Sequence, residues 1–146
     1  MLEVKKDNFT IGTDPSRLDM DAIADMLTRA YWALGRPRER TERAIANSLV
    51  FGVYDGEKQI GIARIVSDYA IFAYLCDVFI HEDYRASGLG KWLMETVKSH
   101  PDLQGLRRFL LATHDAHGLY KQYGWTPLEN PQNWMEILNR SPEENR

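Results

Sequence analysis

Between Ile71 and His100 the apolar pattern changes its period within a few residues, and this change constrains the fold more than any other feature. Ile71 to Ile80 is dense in β-branched and aromatic residues and reads as one long strand. From Ser87 to His100 the period is helical. Leu89, Leu93 and Val97 share one face, Lys91, Glu95 and Lys98 face solvent, and Pro101 closes the segment. A strand therefore runs through a tight turn straight into a helix, with Gly88 and Gly90 at the helix start. Such a join aims unpaired backbone N–H groups and the positive end of the helix dipole at one point. Gly88 and Gly90 let an anion approach the backbone, and Arg85 and Lys91 add charge. The bland alternative is an ordinary strand-to-helix connection that contains two glycines.

The flanking segments suit a mixed domain. Phe9 to Ile11 reads as a short first strand. Asp19 to Leu34 reads as a helix, with Met20, Ile23, Leu27, Tyr31 and Leu34 on one face, Asp19 as N-cap and Gly35 as its stop. A basic loop to Arg40 precedes a short helix over Thr41 to Asn47. Leu49 to Tyr54 and Gln59 to Val66 flank Asp55-Gly56-Glu57-Lys58, a hairpin signal, and with Ile71 to Ile80 they predict an antiparallel meander. Arg108 to Thr113 reads as a short buried strand, followed by a helix from Ala116 to Tyr123 capped by Asp115 and stopped by Gly124. Trp125 to Leu128 and Trp134 to Leu138 are candidate strands, and Ser141 to Arg146 a frayed tail. The expectation is an α+β fold, one domain over residues 1–146, with a central, mostly antiparallel twisted sheet flanked by helices.

Composition narrows the function classes. A chain of 146 residues suits one core. Its 21 acidic residues outnumber 18 basic ones, the opposite of a duplex-binding surface, so no nucleic-acid partner is expected. No run approaches the roughly 18 apolar residues of a membrane span, and Met1 to Lys6 lack the apolar core of a signal peptide. A lone cysteine, Cys76, fits a reducing cytoplasm. Two familiar phosphate loops are excluded. Lys91 is followed by Trp92, where a Walker A loop needs Ser or Thr, and Leu93 stands where a dinucleotide fingerprint needs a small residue.

Arg85-Ala86-Ser87-Gly88-Leu89-Gly90, placed after an apolar strand, resembles the Arg/Gln-x-x-Gly-x-Gly/Ala signature of the GNAT superfamily of N-acetyltransferases. Downstream, Asp115-Ala116-His117-Gly118-Leu119-Tyr120-Lys121-Gln122-Tyr123-Gly124-Trp125 resembles that family's later motif, a helix bearing Leu-Tyr and closed by aromatic-Gly-aromatic. The resemblance extends through the element order from Asp19 to Trp125. It implies acetyl-CoA as co-substrate, with no metal, and an amine acceptor. It also implies that the turn amides of Arg85, Ala86, Ser87, Gly88, Leu89, Gly90 and Lys91 hold the pyrophosphate. Val78, Phe79 and Ile80 would pair with the pantetheine arm, and an N–H near Val78 would polarise the thioester carbonyl. Tyr120 would reprotonate the departing thiolate, and Tyr123 would lie at the cofactor. Tyr120 has an alternative, as a core aromatic at helical spacing from Tyr123.

The proton acceptor is less determined. Asp77 stands in an otherwise apolar strand, and a buried charge there needs a reason. It would bind the substrate ammonium, act through water, or pair with an arginine such as Arg64. Strict alternation sets it on the face opposite Cys76 and Val78, unless a bulge intervenes. Cys76 itself reads as packing. Glu82 occupies a place where the family often has proline. His114, Asp115 and His117 lack a further ligand nearby and read as capping and solvent-facing groups. Tyr31 continues the helical stripe and reads as core. Trp32 lies off it and, with Tyr74 and Asp77, is the candidate acceptor pocket; Tyr69 is ambiguous. These aromatic and acidic groups favour a small cationic amine. The competing reading is a non-catalytic acyl-CoA-binding or sensing module, and a nucleotide-binding protein is weaker. A homodimer through the late strands stays open.

Overall fold

The structure, a computed structural model, describes residues 1–140. Six strands form one sheet in the order β1-β2-β3-β4-β5-β6. They are β1 (Glu3–Lys6), β2 (Phe9–Gly12), β3 (Leu49–Asp55), β4 (Lys58–Ser67), β5 (Phe72–Ile80) and β6 (Arg108–Leu111). All neighbours pair antiparallel except β5 and β6, which are parallel because α3 (Leu89–Ser99) crosses between them. The remaining helices are α1 (Met20–Leu27), α2 (Arg38–Ala46) and α4 (His117–Lys121).

Both faces of the sheet are covered, so alternation along a central strand sorts its residues into two cores. Phe51, Ala63, Ala73 and Leu75 pack with Leu89, Leu93 and Val97 of α3, while Val50, Ile62 and Phe79 pack with Ile23, Met26 and Leu27 of α1. Leu75 and Phe79 would share a face in a regular strand. They do not, because the β4–β5 register slips by one residue between the Ile62↔Phe79 and Arg64↔Cys76 pairs. Asp77 is the extra residue of this bulge and has φ 49, the left-handed region. The bulge overturns the expected alternation, bringing Asp77 to the Arg64 side of the sheet together with Cys76.

Several expected boundaries are corrected. The first helix begins where Asp19 caps the Ala22 amide, but it stops at Leu27 rather than Leu34. The Thr28 hydroxyl and the Arg29 guanidinium both donate to the Asp25 carbonyl, and Ala30 is extended. Tyr31, 46% exposed, and Leu34 therefore leave the buried stripe. Pro37 starts the second helix at Arg38, earlier than expected, since proline suits a helix entrance. The first strand, β1, carries mostly polar and exposed residues and has no apolar period to announce it. Asp115 does not cap α4, whose N-cap is Ala116 with no side-chain cap; in the turn before it Thr113 Oγ1 accepts from the Asp115 and Ala116 amides. Trp125 to Leu128 forms no strand: the Trp125 indole N–H donates to the Phe109 carbonyl and pins this segment across β6. Trp134 to Leu138 forms none either, and Met135 and Ile137 are 97% and 95% exposed. The expected tail over residues 141–146 lies outside the described residues.

Candidate active site

β5 and β6 hydrogen-bond only from Phe72↔Arg108 to Leu75↔Leu111 and then part. Beyond Leu75 the outward edge of β5, from Cys76 to Ile80, has no strand beside it among the described residues. The gap opens into a cleft of about 940 Å³, with Cys76 to Ile80 on one wall and Leu111 to Ala116 on the other. Leu119 and Tyr120 of α4 close one side; Tyr31, Trp32 and Arg36 of the α1–α2 connection close another.

One end of the cleft is the turn into α3. Gly88 caps the helix with φ 82, a conformation that side chains disfavour, and no side chain caps the first-turn amides. A Cβ added at Gly88 or at Gly90 would meet nothing within 4 Å, so both positions open onto free space. Those free amides, the dipole and the room beside them fit a phosphate group. The turn is braced from outside. Ser87 Oγ donates to the Tyr84 carbonyl, the Tyr84 hydroxyl donates to Asp55 at 2.8 Å, and Arg85 Nε donates to the Ile80 carbonyl at 2.9 Å. Glu82 accepts from Arg29 at 2.6 and 3.0 Å, and the Arg29 side chain pulls its carboxyl down to about 2. The residue in the proline place thus ties the end of α1 to the turn.

The other end is built around Asp77, only 4% exposed. Trp32 Nε1 donates to its Oδ1 at 2.9 Å, and Arg36 and Arg64 Nε donate to its Oδ2 at 3.0 and 2.8 Å. Burial acts to raise this carboxyl, yet hydrogen bonds and charge from Arg36 and Arg64 outweigh it and hold the group below the usual carboxylate range. Of the roles open to Asp77, the arginine pairing is the one the geometry displays. Beside it, burial raises the Tyr74 hydroxyl and pushes the Cys76 thiol up to about 11, which keeps the thiol protonated and poorly nucleophilic. Burial, then the neighbouring Tyr31 and Asp115, also raise the Tyr120 hydroxyl.

Most of the residues singled out in sequence meet here. Val78, Phe79, Ile80, Arg85, Ala86, Gly88, Leu89 and Gly90 line the cleft, as do Trp32, Tyr74, Asp77 and Tyr120. Ser87 and Lys91 do not line it, and Lys91 is exposed on α3. Tyr123 also falls away from the cleft: it lies beyond the last residue of α4 and packs on the α3 side of the core, where burial and then the nearby Glu95 charge raise its hydroxyl. His114 is exposed, as its sequence setting suggests, and its ring also lies 4.0 Å from that of Tyr31 at the rim of the cleft. Nothing in the sequence signals that pairing, because Tyr31 follows a helical stripe that the chain abandons. Among the described residues no group of three or more His, Cys, Asp or Glu could hold a metal ion.

The fold around this cleft is shared with known proteins. Residues 20–125 match the model of the acetyltransferase (GNAT) family. The chain belongs to this family. A crystal structure from Xanthomonas campestris pv. campestris, of a protein described as an acetyltransferase of the GNAT family, is 48% identical. It superposes with a TM-score of 0.87 over 90% of this chain and 93% of that one. An uncharacterized N-acetyltransferase, ycf52-like, of Prochlorococcus marinus is 35% identical over 115 residues, spanning 75% of this chain and 63% of that protein. A GNAT family acetyltransferase of Elizabethkingia anophelis, solved with acetyl-CoA bound, shares the fold at a TM-score of 0.65 and 16% identity, over 92% and 90% of the two chains. The protein is accordingly an acetyltransferase by family, and its α+β fold is the GNAT fold. No helix among the described residues is long and apolar enough to cross a membrane.

Proposed function

We propose that this protein transfers the acetyl group of acetyl-CoA to a primary amine by direct attack within a ternary complex. The observation that carries this reading is the splayed β5–β6 pair, which leaves the edge of β5 open directly above the uncapped start of α3. Acetyl-CoA supplies the activated acyl thioester. The first-turn amides of α3 bind its pyrophosphate, in the space that Gly88 and Gly90 leave clear. The open edge from Val78 to Ile80 pairs with the pantetheine arm as an added strand would, and the Val78 amide points at the developing oxyanion. Both groups are fixed before the reaction, so little reorganisation is needed when charge develops.

Tyr120 is the proton source for the departing thiolate. Its hydroxyl, raised by burial, keeps its proton at neutral pH and makes no hydrogen bond that would divert it among the described residues. An amine of pKa near ~10.4 arrives as ammonium and must lose a proton before it can attack. Asp77 is unsuited to take it, with both oxygens engaged and its carboxyl held ionised by two arginines. Its part is to position Trp32, Arg36 and Arg64, and the proton leaves through the solvent-facing side of the cleft.

The test is thiol release from acetyl-CoA over a set of primary amines, with wild type beside Tyr120→Phe. The variant is expected to lose about 100-fold or more in kcat while its calorimetric affinity for acetyl-CoA is unchanged. Unaltered turnover would remove Tyr120 from the chemistry. Tight acetyl-CoA binding by a wild type that acetylates no amine would instead favour a sensing module.

A further inference from the structure

Resting on that reading, we propose that the acceptor amine also carries a carboxylate, and that Arg36 and Arg64 bind it: the substrate is amino-acid-like rather than polycationic. The basis is the charge balance at the acceptor end. Two guanidiniums converge on Asp77, which neutralises one of them. The Arg29 charge is already met by Asp25 and Glu82. One positive charge therefore remains on the wall beside Trp32, Tyr74 and Cys76. A polyamine would have to bring further cations against that excess, since Asp77, the sole carboxylate on this wall among the described residues, is 2% exposed and paired.

The donors needed for a carboxylate are present. A guanidinium carries five N–H groups in a planar fork. Arg36 uses one of them on Asp77; Arg64 uses one on Asp77 and one on Ser48 at 3.2 Å. Their side chains keep 25% and 13% of their exposure, and both line the cleft. Asp77 pre-orients the two groups, so a bound carboxylate meets donors that are already in place. Asp77 adjoins Val78 along the chain, which sets the arginines beside the proposed oxyanion donor and favours an acceptor whose amine and carboxylate are close together. Asp115 stands on the opposite wall, next to His114, and does not offset the arginine charge.

The experiment measures acetylation of three matched sets under saturating acetyl-CoA: L-amino acids, their carboxamides, and the diamine putrescine. Wild type is expected to prefer one or more amino acids over the corresponding carboxamide by at least tenfold in kcat/KM, and to leave putrescine nearly untouched. Arg36→Gln is expected to raise KM for the preferred amino acid at least tenfold and erase the preference, while KM for acetyl-CoA stays constant. Arg36→Lys should recover part of the preference, which a purely structural effect on Asp77 would not produce. Equal use of acid and amide by wild type, or preference for putrescine, overturns the proposal. So does acetyl-CoA binding with no member of the three sets acetylated. Absence of acetyl-CoA binding overturns the parent reading instead.

Discussion

Asp77 shows how one residue can serve fold and site together. Its left-handed backbone makes the bulge that turns Phe79 into the α1 core, and its carboxylate holds Trp32, Arg36 and Arg64 at the cleft. Removing a buried charge while leaving its partners in place costs on the order of 3 kcal/mol. Asp77→Asn should therefore lower the melting temperature by roughly 8 °C for a chain of this size. The sign with pH follows from the depressed carboxyl. The native state prefers the ionised form, so this stabilisation is complete above the ordinary carboxylate range near ~3.9 and is lost as pH falls through the lower folded value. The gap between wild type and variant is expected to be wide and flat from about pH 7 to about pH 5 and to narrow in melts taken below the ordinary carboxylate range, towards about pH 2. A constant gap across that range would mean that the ion pair contributes nothing. The acid itself was legible in sequence as a charge inside an apolar strand. Arg64 was legible as a partner and pairs with it at 2.8 Å, whereas the second guanidinium, Arg36, was not, since it comes from a loop after a helix that ends earlier than its stripe suggests.

At the level of elements, the strand–turn–helix from β5 to α3 and the β3–β4 hairpin were legible because their periods are strong and Gly56 and Gly88 mark the turns. The short or polar pieces were not. β1 has no apolar alternation, α4 is a short helix with no side-chain cap, and the Trp125 segment is fixed by an indole hydrogen bond across β6 rather than by strand pairing. A less obvious element-scale constraint lies in β3. A Cβ at Gly52 would collide with the hydroxyl end of the Tyr54 side chain, 2.6 Å from its Cζ, because that phenol lies over the glycine. Tyr54 is 1% exposed with its hydroxyl unpartnered among the described residues, and burial pushes that hydroxyl up to about 12. Gly52→Ala should force this ring from its place and cost about 1–3 kcal/mol by overpacking. Chemical denaturation reads it directly: a midpoint equal to wild type would show that the strand yields without cost.

Across the whole molecule, the sheet splits between β5 and β6, and the two ends of that split are furnished differently. The turn end carries backbone donors, which the glycine spacing announces in the sequence. The acceptor end carries arginines, a tryptophan and a buried acid gathered from β4, β5 and the α1–α2 connection, and tertiary packing alone brings these together. Asp77, Trp32 and Tyr74 taken by themselves favour a small cationic amine; the two guanidiniums that the fold sets on Asp77 are the ground for proposing an acceptor that also carries a carboxylate. Acetyl-CoA binding at the turn end is the step on which everything else in the cleft depends. Calorimetric titration of acetyl-CoA into wild type and Gly88→Glu tests it most directly, because a glutamate there sets a carboxylate and an unfavourable backbone angle where the phosphates would lie. Saturable binding by wild type that the substitution abolishes, with its fold intact by circular dichroism, is the predicted result. Equal binding by both proteins, or none by wild type at millimolar acetyl-CoA, would contradict it.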